Sequence, residues 1–337
     1  MAADEQITTG CRTRVLGGLV LGLRAGLAVV LLASPVMAEG HAPADPGLPS
    51  LGFRGDKEGG YVFDTGILQG RLQPGSRTLG LTSVVHAPSG ARLDGQYGIL
   101  SYYRVFTAHK RYGEAAWDWP CDSKILPGGK LQVFWPAGED HPFEITATYR
   151  WADPCTLDLE TTVKAQEPLE DFEVFLASYF HEALNRPYVY ARNHPQAGNE
   201  ARFLLAERAC GDWQLFPRDA DVLAMVRDGR WSKQPHPVQW AIMPELAAPI
   251  CLRRGVSEGP VVVLMAPSRD CFAVSTPYEG EGHYSLYLSL FGCDIPAGKV
   301  ARARCRLVVR ADVSEEAILE SYRKYNRQMS SIDPVGD

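Results

Sequence analysis

After residue 60, apolar and polar residues alternate along most of the chain, in short runs that Gly, Pro, Asp and Asn separate. The alternation is clearest in residues 143–151, 156–164, 284–291 and 300–310. A period of two is typical of strands with one buried face. Residues 171–180 and 261–265 are apolar on both faces, as expected of strands covered on both sides. The pattern predicts an all-β fold, a large antiparallel β-sandwich.

The end of the chain combines a charged strand with a helix. The predicted strand 300–310 carries arginines on one face, and we interpret this face as solvated, because charged residues are rarely buried without partners. Residues 312–315 have the spacing of a capping box, which predicts the start of a short helix. Ile318, Tyr322 and Tyr325 follow at i, i+4 and i+7, so we expect them to pack on the sandwich.

The first 38 residues have the order of a secretory signal peptide. Arg12 and Arg14 precede an apolar run that begins at Val15, is interrupted by Arg24 and resumes from Ala25 to Ala33. Val36 to Ala38 suit a cleavage site. The uninterrupted part of this run is far shorter than the roughly 20 residues that span a bilayer, although a retained anchor is the less favoured alternative. No later stretch is long enough to cross a membrane. We therefore expect a periplasmic or secreted protein whose mature chain has no integral membrane segment.

Domain organisation follows from the same patterning. Residues 39–58 are rich in Pro, Gly and Asp and lack periodicity, which predicts a linker. Residues 59–330 are expected to form a single β domain that includes the C-terminal helix. The 32 glycines and 24 prolines suit a chain with many turns between strands.

Composition narrows the function. The 34 basic and 40 acidic residues give a net charge of −6, which argues against a nucleic-acid partner but allows local arginines to bind an anionic ligand. The cysteines have no CxxC spacing and the acidic residues no EF-hand spacing, so we predict no metal site. The glycine pairs lack a phosphate-loop sequence, and no cofactor is predicted. The cysteines are either small buried residues or partly disulfide-bonded.

Several segments resemble the galactose-mutarotase-like supersandwich proteins, which include aldose 1-epimerases and the β-sandwich domains of polysaccharide-degrading enzymes. The resemblance covers most of residues 60–310. It is carried by residues 63–66 (FDTG), 81–90 (LTSVVHAPSG), 98–106 (GILSYYRVF), 177–180 (ASYF) and 290–298 (LFGCDIPAG). These are patterns of strands and turns, so the resemblance implies a supersandwich fold more strongly than an activity.

The resemblance also implies a place for sugar chemistry. Mutarotases use a histidine as general acid on the ring oxygen and a glutamate as general base on the anomeric hydroxyl. In this chain Ala177 takes the place of that histidine, which weighs against plain mutarotase activity. His181 directly follows the ASYF segment and can occupy nearby space.

Residues 179–194 are the first of three candidate site regions. Histidine exchanges a proton near neutral pH, and glutamate serves as a base when burial tunes it. Arginine offers a fork for a uronate carboxylate or a sulfate. The candidates in this region are Tyr179, His181, Glu182, Arg192 and Asn193.

The other two regions also combine rings with charged groups. Residues 102–119 offer aromatic faces for the apolar sides of sugars and polar groups for their hydroxyls. The candidates there are Arg104, His109, Trp117 and Asp118. In residues 278–284, Glu279 and His283 lie beside flexible glycines and suit an acid/base pair. Trp240 is either a core residue or a platform for a sugar. Each region has a structural alternative: a polar loop with ordinary salt bridges at 179–194, edge packing with a tryptophan anchoring a long loop at 102–119, and a tight acidic turn at 278–284.

Two functions of different classes therefore fit the sequence. One is an exported carbohydrate-binding or carbohydrate-active protein: an epimerase, or a lyase of acidic polysaccharides. His181, His283 and Glu279 would then move protons, while Arg104 and Arg192 hold the anionic group of an oligosaccharide. The other is a non-catalytic recognition or scaffold module of the bacterial envelope. A single cleft that contains His181, Arg104 and His283 would favour the enzyme.

Overall fold

The computed structural model describes residues 50–75, 77–192, 200–256, 258–277, 283–311 and 313–332. The predicted signal peptide and most of the predicted linker lie outside these residues. The described part consists mainly of antiparallel strands, which confirms the all-β prediction. Two α-helices accompany the strands in this part, α1 (Val222–Val226) and α2 (Glu315–Ile332), together with short 3-10 turns at Ala116–Asp118, Arg208–Cys210 and Arg230–Ser232.

The strands fall into three sheets within the described ranges. In chain order they are β1 (Ser50–Gly55), β2 (Tyr61–Asp64), β3 (Leu68–Leu72), β4 (Thr82–His86), β5 (Ala91–Arg92), β6 (Ser101–Thr107), β7 (Lys110–Arg111), β8 (Asp122–Leu126), β9 (Lys130–Trp135), β10 (Phe143–Asp153), β11 (Thr156–Ala165), β12 (Leu169–Tyr179), β13 (Arg186–Ala191), β14 (Arg202–Leu205), β15 (Trp213–Pro217), β16 (Ala241–Ile242), β17 (Leu246–Arg254), β18 (Val261–Met265), β19 (Cys271–Pro277), β20 (Ser285–Ile295) and β21 (Val300–Arg310). The sheet orders are β1-β2-β3-β4-β5, β14-β13-β17-β18-β21-β11-β10-β9-β8 and β16-β15-β19-β20-β12-β6-β7.

The nine-stranded and seven-stranded sheets pack face to face around the main core. Alternate residues of β10 and β11 point into it, as the period of two predicts; Ile145 and Leu159 are among those buried. The opposite sheet contributes residues such as Leu176 and Leu288. The hydroxyls of Tyr102 and Thr161 hydrogen-bond across the interior at 2.6 Å, which satisfies two polar groups that burial would otherwise penalise.

The seven-stranded sheet is covered on both sides. Its outer face carries a second apolar cluster, formed by sheet residues together with α1 and the segment that follows it. This cover explains why β12 is apolar on both faces, as predicted. The same cover explains a difference at residues 284–291. Alternation predicted one buried face there, whereas Ser285 to Phe291 are buried on both faces of the strand.

The first strand lies inside the segment that was predicted to be a linker. β1 pairs with β2, and the ring of Phe53 lies 5.6 Å from that of Phe63 and 6.2 Å from that of Trp151, measured between centroids. A short strand among glycines and prolines leaves little periodic signal. Pairing with β2, a backbone hydrogen bond from Phe53 to Gly129 at 2.8 Å and burial of the Phe53 ring attach this segment to the sandwich.

The arginine face of β21 is not the solvated face that the sequence predicted. Arg304 and Arg306 are buried, because helix α2 packs across them. The Arg306 guanidinium lies 4.3 Å from the ring centre of Tyr325 and is paired with Asp158 at 2.6 Å. Arg302 keeps the predicted exposure.

Helix α2 starts close to its predicted position, and its predicted apolar residues pack on the sandwich. The Ser314 hydroxyl accepts a hydrogen bond from the Ala317 amide at 3.3 Å and so caps the helix. None of the described helices has the length and apolar character of a membrane span. The seven cysteines of the described part are all free thiols, and Cys251, Cys271 and Cys305 are fully buried.

A buried histidine gives folding a defined pH dependence. The His141 ring stacks on Trp119 at 3.9 Å, and burial lowers its pKa from 6.5. The folded protein thus binds a proton at His141 less readily than the unfolded chain does. The contribution of His141 to the free energy of unfolding should therefore be full above about pH 6.5 and should decrease as the pH drops below it. We expect His141→Phe, which keeps a ring against Trp119, to lose stability less steeply between pH 7 and pH 5. Urea denaturation at each pH measures both slopes, and equal slopes would contradict this origin.

Candidate functional site

A cleft of about 310 Å³ opens on the outer face of the seven-stranded sheet. Its floor comes from β6, β12 and β20, and its walls come from the Ala116–Asp118 turn and the loop between β15 and β16. The aromatic residues that line it are Tyr97, Tyr103, Trp117, Phe175, Tyr179, Trp213, Trp231, His236, Trp240, His283 and Tyr287. Such a density of rings on a sheet face suits a ligand with apolar surfaces.

Local sequence explains how this face is built. On β12, Phe175, Ala177 and Tyr179 alternate onto the outer side, where all three are buried in the second apolar cluster. Ala177 has a small, fully buried side chain between two large ones. Tyr287 on β20 stands beside this strand, with its ring 4.6 Å from that of Phe175.

One wall is a stack of three rings. Trp117 lies parallel to Tyr103 at a centroid distance of 4.5 Å and parallel to Tyr97 at 5.5 Å, with 2° between the planes in both pairs. Offset stacking of this kind fixes ring positions before any ligand arrives. The wall is therefore preorganised, which lowers the entropic cost of binding.

Arg104 lies on the floor beside this stack and is only 3% exposed. Its Nη2 donates to the His236 carbonyl at 2.7 Å and to the Tyr103 hydroxyl at 3.3 Å. The guanidinium carbon lies 4.9 Å from the Tyr103 ring centre and 5.2 Å from that of Trp231. Nε and Nη1 have no hydrogen-bond partner, and no carboxylate of the described residues pairs with this arginine.

Two other buried arginines, Arg230 and Arg253, have more hydrogen-bonding partners than Arg104. Arg230 pairs with Glu173 and Asp228, and Arg253 donates to four acceptors through all three of its nitrogens. A buried cation without such partners is costly, because desolvation disfavours the charged form. Ring faces attract the Arg104 charge, but they offer no acceptor to its N–H groups. Arg104 is thus prepared for an acceptor that the described residues do not supply.

The surroundings of Arg104 are electropositive. Burial and the nearby Arg104 charge together lower the pKa of Arg111 to about 10. The nitrogens of Arg111 donate to the carbonyls of Pro235 and Glu114 instead of to a carboxylate. Two guanidinium groups held this close raise the local positive potential, which favours a negatively charged ligand.

The tyrosine hydroxyls in the cleft act as neutral hydrogen-bonding groups. Burial raises the pKa of Tyr179 well above 10 and that of Tyr287 to about 12. The Ser285 hydroxyl donates to that of Tyr287 at 2.7 Å. The ring of His283 lies 5.6 Å from Tyr179 and 5.9 Å from Trp213, between centroids. At neutral pH both tyrosines keep their protons, so they suit hydroxyl or carboxylate recognition better than proton abstraction.

The structure brings half of the predicted site residues into this one cleft. They are Arg104, Trp117, Asp118, Tyr179, Trp240 and His283. Asp118 lies at the mouth, where it pairs with Arg77 at 2.9 Å. Glu279 and Asn193 lie outside the described residues.

Four predicted residues lie outside the cleft lining. The His181 ring accepts a hydrogen bond from the Ala183 amide at 3.2 Å, and His109 bonds to Asp228. Arg192 forms an exposed ion pair with Glu245 at 3.3 Å, and Glu182 is exposed. A single cleft that contains His181, Arg104 and His283 would favour the enzyme. The cleft contains Arg104 and His283 but not His181.

Sequence reasoning missed several lining residues. Tyr97, Trp213, Trp231, His236 and Tyr287 come from four separate segments, and only the fold brings them together. A signal did exist for Trp213 and Trp231, because large aromatic residues in polar, non-periodic stretches are candidates for ligand contact.

Comparisons with known proteins found similarity in structure only. No family model and no curated protein matches the sequence. The fold is similar to the GalM/aldose epimerase homologue from C. elegans, at 8% identity over 73% of this chain and 96% of that one, with a TM-score of 0.44. It is also similar to a quadruple mutant of an α-N-acetylgalactosaminidase from Bifidobacterium bifidum, at 15% identity over 80% of this chain and 39% of that one, with a TM-score of 0.48.

A mutant of heparan sulfate lyase HepC from Pedobacter heparinus is similar at 7% identity and a TM-score of 0.43, over 79% of this chain and 37% of that one. This chain thus corresponds to less than half of the two longer enzymes. At such identities and TM-scores, function has to be argued from the residues of this chain.

Proposed function

We propose that this protein binds a carbohydrate that carries a carboxylate or sulfate group, with the anionic group on Arg104. The observation that carries the proposal is the buried guanidinium with two unpartnered nitrogens in an aromatic cleft. Charge-assisted hydrogen bonds to arginine are the usual way in which proteins hold such groups. An anion in the cleft would supply the acceptors that Nε and Nη1 lack.

The rest of the cleft suits the sugar itself. Trp213 and Trp240 are half-buried rings at the cleft surface, and C–H faces of pyranose rings stack on such surfaces. The indole N–H groups of Trp117 and Trp240 have no acceptor in the described part of the chain, so they can donate to sugar oxygens. A volume of about 310 Å³ lies at the small end of the ligand-cleft range, which favours one or two sugar units.

Recognition fits the geometry better than catalysis. The described carboxylates that line the cleft are Glu114 and Asp118; both are exposed, and Asp118 is paired with Arg77. The buried tyrosines hold their protons, and Ala177 offers no proton-transfer group. The second candidate is an acid/base enzyme in which His283, 5.6 Å from the Tyr179 ring, moves the proton.

A titration panel separates these possibilities. Calorimetry with uronate-containing, sulfated and neutral disaccharides of equal length should show binding of an acidic member, with the neutral analogue weaker by roughly 10-fold or more, the value of a charge-assisted hydrogen bond. Absence of binding across the panel would refute the proposal. Incubation of each bound sugar, followed by chromatography, then decides the class: an unchanged sugar supports recognition, and a new product supports the enzyme.

A further inference from the structure

A buried ion pair lies beneath one wall of the cleft. Arg230 is fully buried and Glu173 on β12 is 1% exposed, with Nη1 and Oε2 3.1 Å apart. The Ser289 hydroxyl on β20 donates to the other Glu173 oxygen at 2.8 Å. This pair therefore joins two floor strands of the cleft to the loop that connects β15 and β16.

Arg230 attaches that loop at several points. Its Nη1 also donates to the Asp171 carbonyl at 3.0 Å, and its Nε donates to Asp228 at 3.0 Å. Asp228 in turn accepts the His109 amide at 3.0 Å. One guanidinium thus ties the loop to β12 and, through Asp228, to the turn after β6.

The same loop determines the surroundings of Arg104. Trp231, the residue after Arg230, has its ring 5.2 Å from the Arg104 guanidinium and 4.7 Å from Phe175. The His236 carbonyl, five residues further, accepts from Arg104 at 2.7 Å. A shift of this loop would move two of the contacts that orient the guanidinium, while those with Tyr103 would remain.

We infer that the Glu173–Arg230 pair is a positioning pair that sets the anion-binding geometry of Arg104, an inference that rests on the proposed function. Stability alone does not explain it, since well-packed apolar residues often replace a buried ion pair without loss. The forked guanidinium adds direction, because its fixed donors fit three acceptors, two on β12 and one in its own loop, in only one arrangement. Residues that bind a ligand directly need such support to stay in the productive position.

The test replaces both charges with apolar residues. We expect Glu173→Met/Arg230→Met to fold with a lower melting temperature than the native protein, because Asp228 also loses its arginine partner. Affinity for the acidic disaccharide should fall about tenfold, the size of coupling usual within one hydrogen-bond network. The control is Asp158→Met/Arg306→Met on the other sheet, which removes a less deeply buried ion pair and should leave affinity unchanged. Native affinity in the Glu173/Arg230 variant would overturn the inference.

A second readout does not depend on a ligand. In protein labelled with 5-fluorotryptophan, the Trp231 signal, assigned by Trp231→Phe, should shift or broaden when the pair is replaced. If the native protein binds no acidic sugar, the proposed function fails, and an unchanged Trp231 signal would then also refute the positioning role. If the double variant does not fold, the same two measurements can be made on Glu173→Gln, which keeps the shape of the side chain. Native affinity together with a native Trp231 signal in that variant would refute the inference.

Discussion

Replacing Arg104 with methionine should make the free protein more stable and strongly weaken its binding of acidic saccharides. The side chain is 3% exposed and two of its nitrogens have no partner, so the folded state carries a desolvated charge. Methionine fills a similar volume without that penalty, and we expect a gain of about 1–3 kcal/mol in the free energy of unfolding. Loss of the charged contact to the ligand should cost roughly 2–5 kcal/mol of binding free energy, which is about 30-fold or more in affinity.

The opposite signs of these two effects make the experiment decisive. A structural arginine would lose stability on truncation, whereas a ligand-binding arginine trades stability for function. Urea denaturation and calorimetry on the same preparations measure both. Arg77→Met is the control, because Arg77 is an exposed arginine at the mouth of the same cleft. It should change stability by less than about 1 kcal/mol. An Arg104→Met protein that is less stable, or that binds the acidic sugar with native affinity, would contradict the assignment.

The large sheets could be predicted because their signal is local. In β10 and β11 every second residue is buried, and alternation within ten residues is enough to show it. The candidate site could be predicted only in part. Arg104 and Trp117 come from one region that combines rings and charges. Trp231 is held at the cleft by the salt bridge of its neighbour Arg230 with Glu173, which lies 57 positions earlier in the chain. Contacts of that separation leave no pattern in neighbouring residues.

The arginine face of β21 also shows that a local pattern does not reveal contacts with distant parts of the chain. Alternation correctly places Arg304 and Arg306 on the face opposite Ala303 and Cys305. It does not say what covers that face. The sequence predicts that the apolar stripe of α2 packs on the sandwich, and it predicts separately that the arginines of β21 face solvent. In the structure these are the same contact, since Tyr325 lies on Arg306.

That contact should contribute strongly to stability. Tyr325 is 1% exposed, so Tyr325→Ala removes a large buried ring and leaves a cavity beside two buried guanidinium groups. We expect a loss of about 3–5 kcal/mol in the free energy of unfolding, measured by urea denaturation. Tyr325→Phe keeps the ring and removes only a hydroxyl that has no partner in the described part of the chain. It should be neutral or more stable by up to about 1 kcal/mol.

Affinity provides the complementary measurement for this substitution. Helix α2 packs on the nine-stranded sheet and the cleft opens on the seven-stranded one, so Tyr325→Ala should bind the acidic saccharide with native affinity at temperatures where it stays folded. Arg323→Ala, an exposed change on the same helix, should alter stability by less than about 0.5 kcal/mol. A stability loss near that of Arg323→Ala would mean that the helix contributes little to the fold. A loss of affinity in the folded Tyr325→Ala protein would mean that the two sheets do not act independently. With Arg104→Met, which should gain stability and lose binding, this variant separates the residues that hold the sandwich together from those that bind the ligand.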